Sequence, residues 1–298
     1  MGQEGAIDRS TTATGLLAAM RSSVQELAFA VDGLHGDAAF RDALEAAARF
    51  WRYSTGNLFM ILMQRRTATR VTGRRAWEAL GRRVLPAEKP IWICAPRRGA
   101  GSGIPFLPVP VYDIRQTQGK RLPKLDVTLR GRTRHVQLLE TAATRLGISV
   151  GTFGGPSTAN GVSQGGSILL HRSLSQRGCV ATLAHELAHE LLHQARSGKK
   201  RPPQLSHAVR EAEAEAISFV VLRVLGLPSK APAYIAWQGG SGKMLMASLQ
   251  RIQRAARLIL EAGLGVAMPL RAKRPAQSGD PLQRATAIST SEPRLLSL

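Results

Sequence analysis

Two histidines and a glutamate stand in this chain at the spacing that metal-assisted hydrolysis requires. Residues 179–193 read CVATLAHELAHELLH and contain His185-Glu186-Leu187-Ala188-His189. On a helix, residues four apart lie one above the other on the same face. The rings of His185 and His189 can therefore share one metal ion, and Glu186 beside them is placed to take a proton from a water held at that ion. Leu183, Ala184, Leu187, Ala188, Leu191 and Leu192 make the helix mostly apolar, so it is expected to be buried. Buried imidazoles need partners, because an unpaired polar group costs free energy there. A second frame, His189-Glu190-Leu191-Leu192-His193, overlaps the first. The first is favoured, because His193 stands near the expected helix end, where the unpaired carbonyls of the last turn account for it.

A metal with two His ligands needs a third protein ligand and an open position to act on a substrate. Residues 205–225 read as a long helix stopped by Gly226 and Pro228, and it opens with Glu211, Glu213 and Glu215. Glu211 follows His189 by 22 residues, enough for a loop and a return helix. It is assigned as third ligand, with Glu213 or Glu215 as the competing assignment. Glu211 and Glu215 share a face, and Glu215 would accept the free N–H of a ligand histidine. The expected cofactor is one Zn²⁺, with Mn²⁺ as the alternative ion.

Composition sets the bounds. The chain has 298 residues, 44% of them hydrophobic and 5% aromatic. That suits a sizeable core and two ordinary domains or one large one. Two cysteines, Cys94 and Cys179, are too few for a disulfide framework and suit a reducing cytosol. No apolar run is long enough to span a membrane. The first residues lack the basic start and apolar core of a secretory signal, so a cytoplasmic location is expected. The net charge is +21, which predicts a polyanionic partner. Residues 65–134 hold 17 Lys/Arg against 4 Asp/Glu, a net of +13, so the excess is concentrated.

The elements follow from periodicity and turn residues. Helices are expected over 12–31, 37–51 with Asp37 as N-cap, 54–64, 73–81, 135–147, 205–225 and 241–262, besides the histidine helix. Strands are expected over 90–95, 109–114, 148–150 and 167–171, with turn residues at 156–166. His171, at the end of the last strand, could line the cleft or lie at the surface. The fold class is α+β, read as two domains: residues 11–120, then 135–263. A basic linker over 121–134 joins them, and disordered segments over 1–10 and 264–298 flank them.

The first half also carries a family resemblance. Tyr53, Ser54, Asn57 and Gln64, then Gly73, Trp77, Gly81 and Arg82, then Glu88, Lys89 and Ile91, then Val111, Asp113, Gln116 and Gly119 resemble the N-terminal domain of ArdC-type antirestriction proteins. The resemblance implies a single-stranded-DNA-binding module. It agrees with the charge, since single-strand binders combine a basic groove with aromatic stacking faces. Charge is available from Arg65, Arg66, Arg70, Arg74, Arg75, Arg82, Arg83, Lys89, Arg97 and Arg98. Tyr53, Trp77 and Trp92 are the stacking candidates, with core packing as the other reading for each. The choice of single strand over duplex rests on the resemblance alone. Glu211-Ala212-Glu213-Ala214-Glu215 resembles a pattern shared by ImmA/IrrE-type and ArdC-type metallopeptidase domains. Tyr234-Ile235-Ala236-Trp237 resembles a run that follows the third-ligand helix in the ArdC type. There Tyr234 could donate to a developing oxyanion or pack in the core. Together these imply a zincin-like metallopeptidase domain and a role in antirestriction or in processing protein on DNA. A protein that only coats single strands around a structural metal, and an ImmA-type regulator that cuts a repressor, are the alternatives.

Overall fold

The computed structural model describes residue 15 and residues 36–96, 106–122, 132–195, 203–229 and 242–265. Apart from residue 15, the expected helix over 12–31 lies outside the described residues, as do Arg97, Arg98, Tyr234 and the terminal segments. What is described is a mixed α+β structure of helices and small sheets.

Helix α1 (Gly36–Arg49) already includes Gly36, so Asp37 lies inside its first turn rather than at its cap. Helix α2 (Thr55–Gln64) starts at Ser54, whose hydroxyl accepts from the Asn57 N–H, an N-cap that satisfies one orphan amide. Strand β1 (Val71–Thr72) and the short helix α3 (Arg74–Ala79) follow. Strands β3 (Ile91–Pro96) and β4 (Phe106–Asp113) pair antiparallel with Ile91 opposite Val111, and β1 joins the far side of β4. Strands β2 (Arg82–Val84) and β5 (Thr117–Gly119) form a separate two-stranded ribbon, with Arg82 opposite Gly119. Neither strand is legible in the sequence, because three-residue segments are too short to show a period.

Helix α4 (Arg132–Arg145) leads into β6 (Ser149–Phe153). Strand β8 (Ser167–His171) runs parallel to β6, and β7 (Gly161–Ser163) pairs antiparallel on its other side, giving the order β6-β8-β7. Residues expected only to turn thus supply the sheet's edge strand. Helices α5 (Gln176–Leu192), α6 (His207–Val224) and α7 (Gly242–Leu264) complete the fold.

One hydrophobic cluster runs through both halves of the chain. Phe40 and Leu44 of α1 share it with Leu183 and Leu187 of α5, Ile217 of α6 and Ile252 of α7, all of them fully buried. Each such side chain contributes about 1.5–3 kcal/mol by leaving water. Polar contacts tie the same elements. The Gln253 amide donates to the Phe50 and Tyr53 carbonyls, both at 3.2 Å, closing α7 over the end of α1. Where α7 crosses α4, Gly263 is required, since a Cβ there would lie 2.4 Å from Leu138 Cδ2.

The outer edge of β3 is paired by side chains. Asn57 Nδ2 donates to the Cys94 carbonyl at 2.8 Å and Asn57 Oδ1 accepts from the Cys94 N–H at 2.9 Å. Two helical turns on, Gln64 does the same for Trp92, at 2.7 and 2.8 Å. Two amides at i and i+7 on α2 thus imitate a neighbouring strand and cover an edge that would otherwise invite association. Replacing Asn57 by Leu keeps the helix but orphans the Cys94 amide and carbonyl. It is expected to lower stability by about 2 kcal/mol in urea unfolding.

Candidate metal centre and nucleic-acid interface

Helix α5 starts at Ser175, whose hydroxyl accepts from the Gly178 N–H, and ends at His193 in the C-cap position. Between them it buries Leu183, Ala184, Leu187 and Ala188 completely. This burial orients the histidine face toward α6. His185 Nε2 and His189 Nε2 meet at 3.0 Å. Glu211, in the second turn of α6, brings Oε2 to 3.4 Å from His185 Nε2 and Oε1 to 3.3 Å from His189 Nε2. The three ligand atoms lie within 4.8 Å of one another. The Glu211 side chain is 38% exposed, against 13% for His189, so the cluster opens to solvent on the carboxylate side.

Burial holds His185 below the ordinary imidazole range, against the pull of Glu211 and Glu215. Burial first, then the neighbouring His185, takes His189 down to about 4. Both rings are therefore neutral near pH 7, and nitrogen atoms 3.0 Å apart cannot both be protonated toward each other. A shared divalent cation would satisfy both nitrogens and the Glu211 carboxylate at once. The donor set fits such an ion, as two imidazoles and one carboxylate are the common catalytic set.

Glu186 is 7% exposed, and burial raises its carboxyl to about 7; a hydrogen bond from Ser163 opposes the shift, and the charges of Glu211 and Glu190 add to it. Strand β7 lies directly over it. A Cβ at Gly161 would stand 2.6 Å from Thr182 Cγ2 and 2.9 Å from Glu186 Cγ. The far end of α5 anchors the same strand and turn. Glu190 accepts from the Gly165 and Gly166 N–H groups at 2.7 and 2.6 Å, and Gln194 donates to the Ser163 carbonyl at 3.2 Å.

His193 departs from expectation. Its ring does not serve the carbonyls of the last turn. It is buried, with Nδ1 3.1 Å from His189 Nδ1 and Nε2 3.0 Å from Glu213 Oε2. Glu213 is fully buried between α6 and α7 and also binds the guanidinium of Arg251, with Arg251 Nε at 3.0 Å from Oε1. Burial disfavours its charge, but hydrogen bonds from His193, Arg251 and Ser248 outweigh that and hold its carboxyl below the ordinary range. This pairing escaped the sequence reading, which placed His193 at the helix end, held Glu213 as a competing ligand and did not name Arg251 or Ser248. The available signal was His193 at the i+4 spacing from His189 together with a Glu at the wrong phase of an acidic face. Glu215 is exposed, one turn beyond Glu211, and acts on His185 through its charge. His171 sits outside the cluster, with Nε2 2.9 Å from the Gly155 carbonyl oxygen and its ring edge-on to Phe153.

The basic and aromatic residues of the first half divide into two groups. Trp77 is 1% exposed and donates to the Tyr112 carbonyl at 2.9 Å. Tyr53 donates to the Val71 carbonyl at 2.7 Å, and burial pushes its phenol up to about 12. Arg82 spans β5, reaching the Thr117 and Lys120 carbonyls at 2.8 and 2.6 Å. Arg65 faces Glu88 at 3.7 Å, and Arg74 lies over the Tyr112 ring. With Asn57 on the β3 edge, these side chains are engaged in the fold. Arg66, Arg70, Arg75, Arg83 and Lys89 are exposed, as is Arg74 despite its contact with Tyr112, and Trp92 is half-buried. Asp113 is fully buried and accepts from the Thr69 and Arg70 N–H groups at 2.6 and 3.0 Å, so the positions that carry the resemblance are partly architectural.

Gly161 gives a direct check on how closely β7 and the glutamate are packed. Gly161→Ala is expected to cost about 1–3 kcal/mol by overpacking. Adding Thr182→Ala, which removes the nearest atom, should recover part of that loss in urea unfolding.

The chain matches no family model and no curated protein. Among solved structures it is similar to the antirestriction protein ArdC from plasmid R388. The metal-free crystal structure of that protein shares 20% identity over 72% of this chain and 85% of that one, with a TM-score of 0.38. The Mn(II)-bound structure shares 20% identity over 71% and 85%, with a TM-score of 0.43. Among the described residues no helix is long and apolar enough to cross a membrane.

Proposed function

We propose that this chain is a zincin-like metallopeptidase joined to a single-stranded-DNA-binding module, acting in antirestriction or in the processing of protein on DNA in the cytoplasm. In this reading residues 11–120 bind the strand and residues 135–263 carry the peptidase. The observation that carries it is the buried Glu186 carboxylate beside the cluster of His185, His189 and Glu211. Those three residues would hold one Zn²⁺, or Mn²⁺ in its place. Bound there, the ion supplies Lewis-acid polarisation of a carbonyl or a water.

The chain's own residues supply the rest. Glu186 accepts the proton of the attacking water and returns it to the amide nitrogen as the peptide bond breaks. Strand β7 offers an edge for extended substrate. His171 N–H bonds the Asn160 carbonyl and Gln164 N–H bonds the Ser167 carbonyl, so the alternate residues Gly161 and Ser163 turn their backbone away from β8. Tyr234 is assigned the oxyanion contact on the resemblance.

Glu186→Gln keeps the shape of the side chain and loses the base. Hydrolysis of an unfolded protein substrate by the zinc-loaded protein should fall by ~10²–10⁴-fold with zinc content and thermal stability unchanged. A wild-type protein that takes up zinc yet cleaves nothing, with or without single-stranded DNA, would leave a strand-coating role with a structural metal. Nucleic-acid binding is supported by the exposed Arg66, Arg70, Arg75 and Arg83. Changing all four to Glu should abolish oligonucleotide binding in fluorescence anisotropy. Single changes should each flatten the log K against log salt slope by about 0.7. A wild-type protein that binds no oligonucleotide would point instead to a repressor-cutting regulator whose basic residues only dock protein.

A further inference from the structure

Among the described residues, a buried polar chain that the proposed reaction does not use adjoins the cluster. Resting on the metal-site reading above, we propose that His193, Glu213 and Arg251 are positioning residues. They form a hydrogen-bonded chain across α5, α6 and α7 that sets the tautomer of His189 and so presents its Nε2 lone pair to His185 and Glu211.

The direction of the chain follows from what each group can donate. Arg251 has only donors, and it occupies Glu213 Oε1. Its rotamer is held by a second hydrogen bond to Ser248 Oγ at 2.8 Å. Glu213, paired with that cation, is an ionised acceptor, so His193 Nε2 at 3.0 Å from Oε2 must carry a hydrogen. In its neutral form, with the hydrogen on Nε2, the His193 ring has a bare acceptor at Nδ1. His189 Nδ1 stands 3.1 Å from it and must be the donor. A neutral His189 with its hydrogen on Nδ1 has a bare Nε2, the atom that lies 3.0 Å from His185 Nε2 and 3.3 Å from Glu211 Oε1. Reversing any link would put a hydrogen where the cluster needs a lone pair. The side chains of His193 and Glu213 are 1% and 0% exposed, so water cannot substitute for a broken link.

Glu213→Gln reverses the chain without changing its shape. Arg251 can only donate, so it takes the one amide oxygen, and the amide nitrogen then faces His193. That forces His193 to accept at Nε2 and carry its hydrogen on Nδ1, which evicts the hydrogen from His189 Nδ1. The full-length protein, labelled with ¹⁵N-histidine, should show His189 protonated at Nδ1 and His193 at Nε2, without metal and with one equivalent of zinc. In Glu213→Gln both tautomers should switch in the metal-free protein, and zinc affinity, measured against a chromophoric chelator, should fall by ~10–100-fold. Adding Arg251→Met frees the introduced amide to turn its oxygen to His193, so the double variant should bind zinc more tightly than Glu213→Gln alone. A merely structural role predicts the opposite order. A wild-type His189 protonated at Nε2, or a folded Glu213→Gln protein with unchanged tautomers and zinc affinity, would overturn the proposal. A wild type with the expected tautomers that binds no zinc would instead remove the metal-site reading, and the metal role of the chain with it.

Discussion

Two imidazole nitrogens held 3.0 Å apart on a half-buried face of one helix are the constraint around which this structure is arranged. Neutral rings in that half-buried position bring two lone pairs together with little solvent between them. Everything adjacent offsets that cost. Helix α6 brings the Glu211 carboxylate to both nitrogens, and α7 brings Arg251 to hold the carboxylate behind them. Strand β7 contributes a glycine where a Cβ would crowd Thr182 and Glu186. The carboxyl of Glu186 is raised by the same burial that lowers the histidines, so one apolar environment gives a neutral imidazole pair and a carboxyl that can exchange a proton near neutrality.

The acidic face of α6 shows how one turn of helix separates roles. Glu211, Glu213 and Glu215 differ by two residues each, about 200° of rotation per step. Glu211 faces the histidines from a half-exposed position and Glu215 faces solvent one turn on. Glu213 turns into the interior, where it is fully buried and paired on both oxygens. A buried carboxylate of this kind is tolerated only with its partners present. Those partners come from two different helices, so the packing of α5, α6 and α7 is recorded in a single side chain.

In the first half, residues whose types suggest nucleic-acid contact are partly spent on architecture. Small sheets have proportionally more edge than large ones, and here side chains close it. Asn57 and Gln64 pair the free side of β3, Arg82 ties its own strand β2 to β5, and Asp113 with Gln116 closes the corner after β4. Arg66, Arg70, Arg75 and Arg83 remain exposed.

By itself the sequence determined whatever depends on neighbours along the chain. The i, i+4 spacing of His185 and His189, the two cysteines too few for a disulfide framework and most helices follow from local periodicity and composition. The tertiary structure decided what depends on which surfaces meet. It gave His193 a buried carboxylate in place of helix-end carbonyls and made Trp77 and Tyr53 core residues. It also turned three residues of an apparent loop, Gly161 to Ser163, into the strand over Glu186. The physical reason is common to all of these. A helix period is written in adjacent residues, whereas the partner of a buried polar group is set by long-range packing that no local pattern encodes.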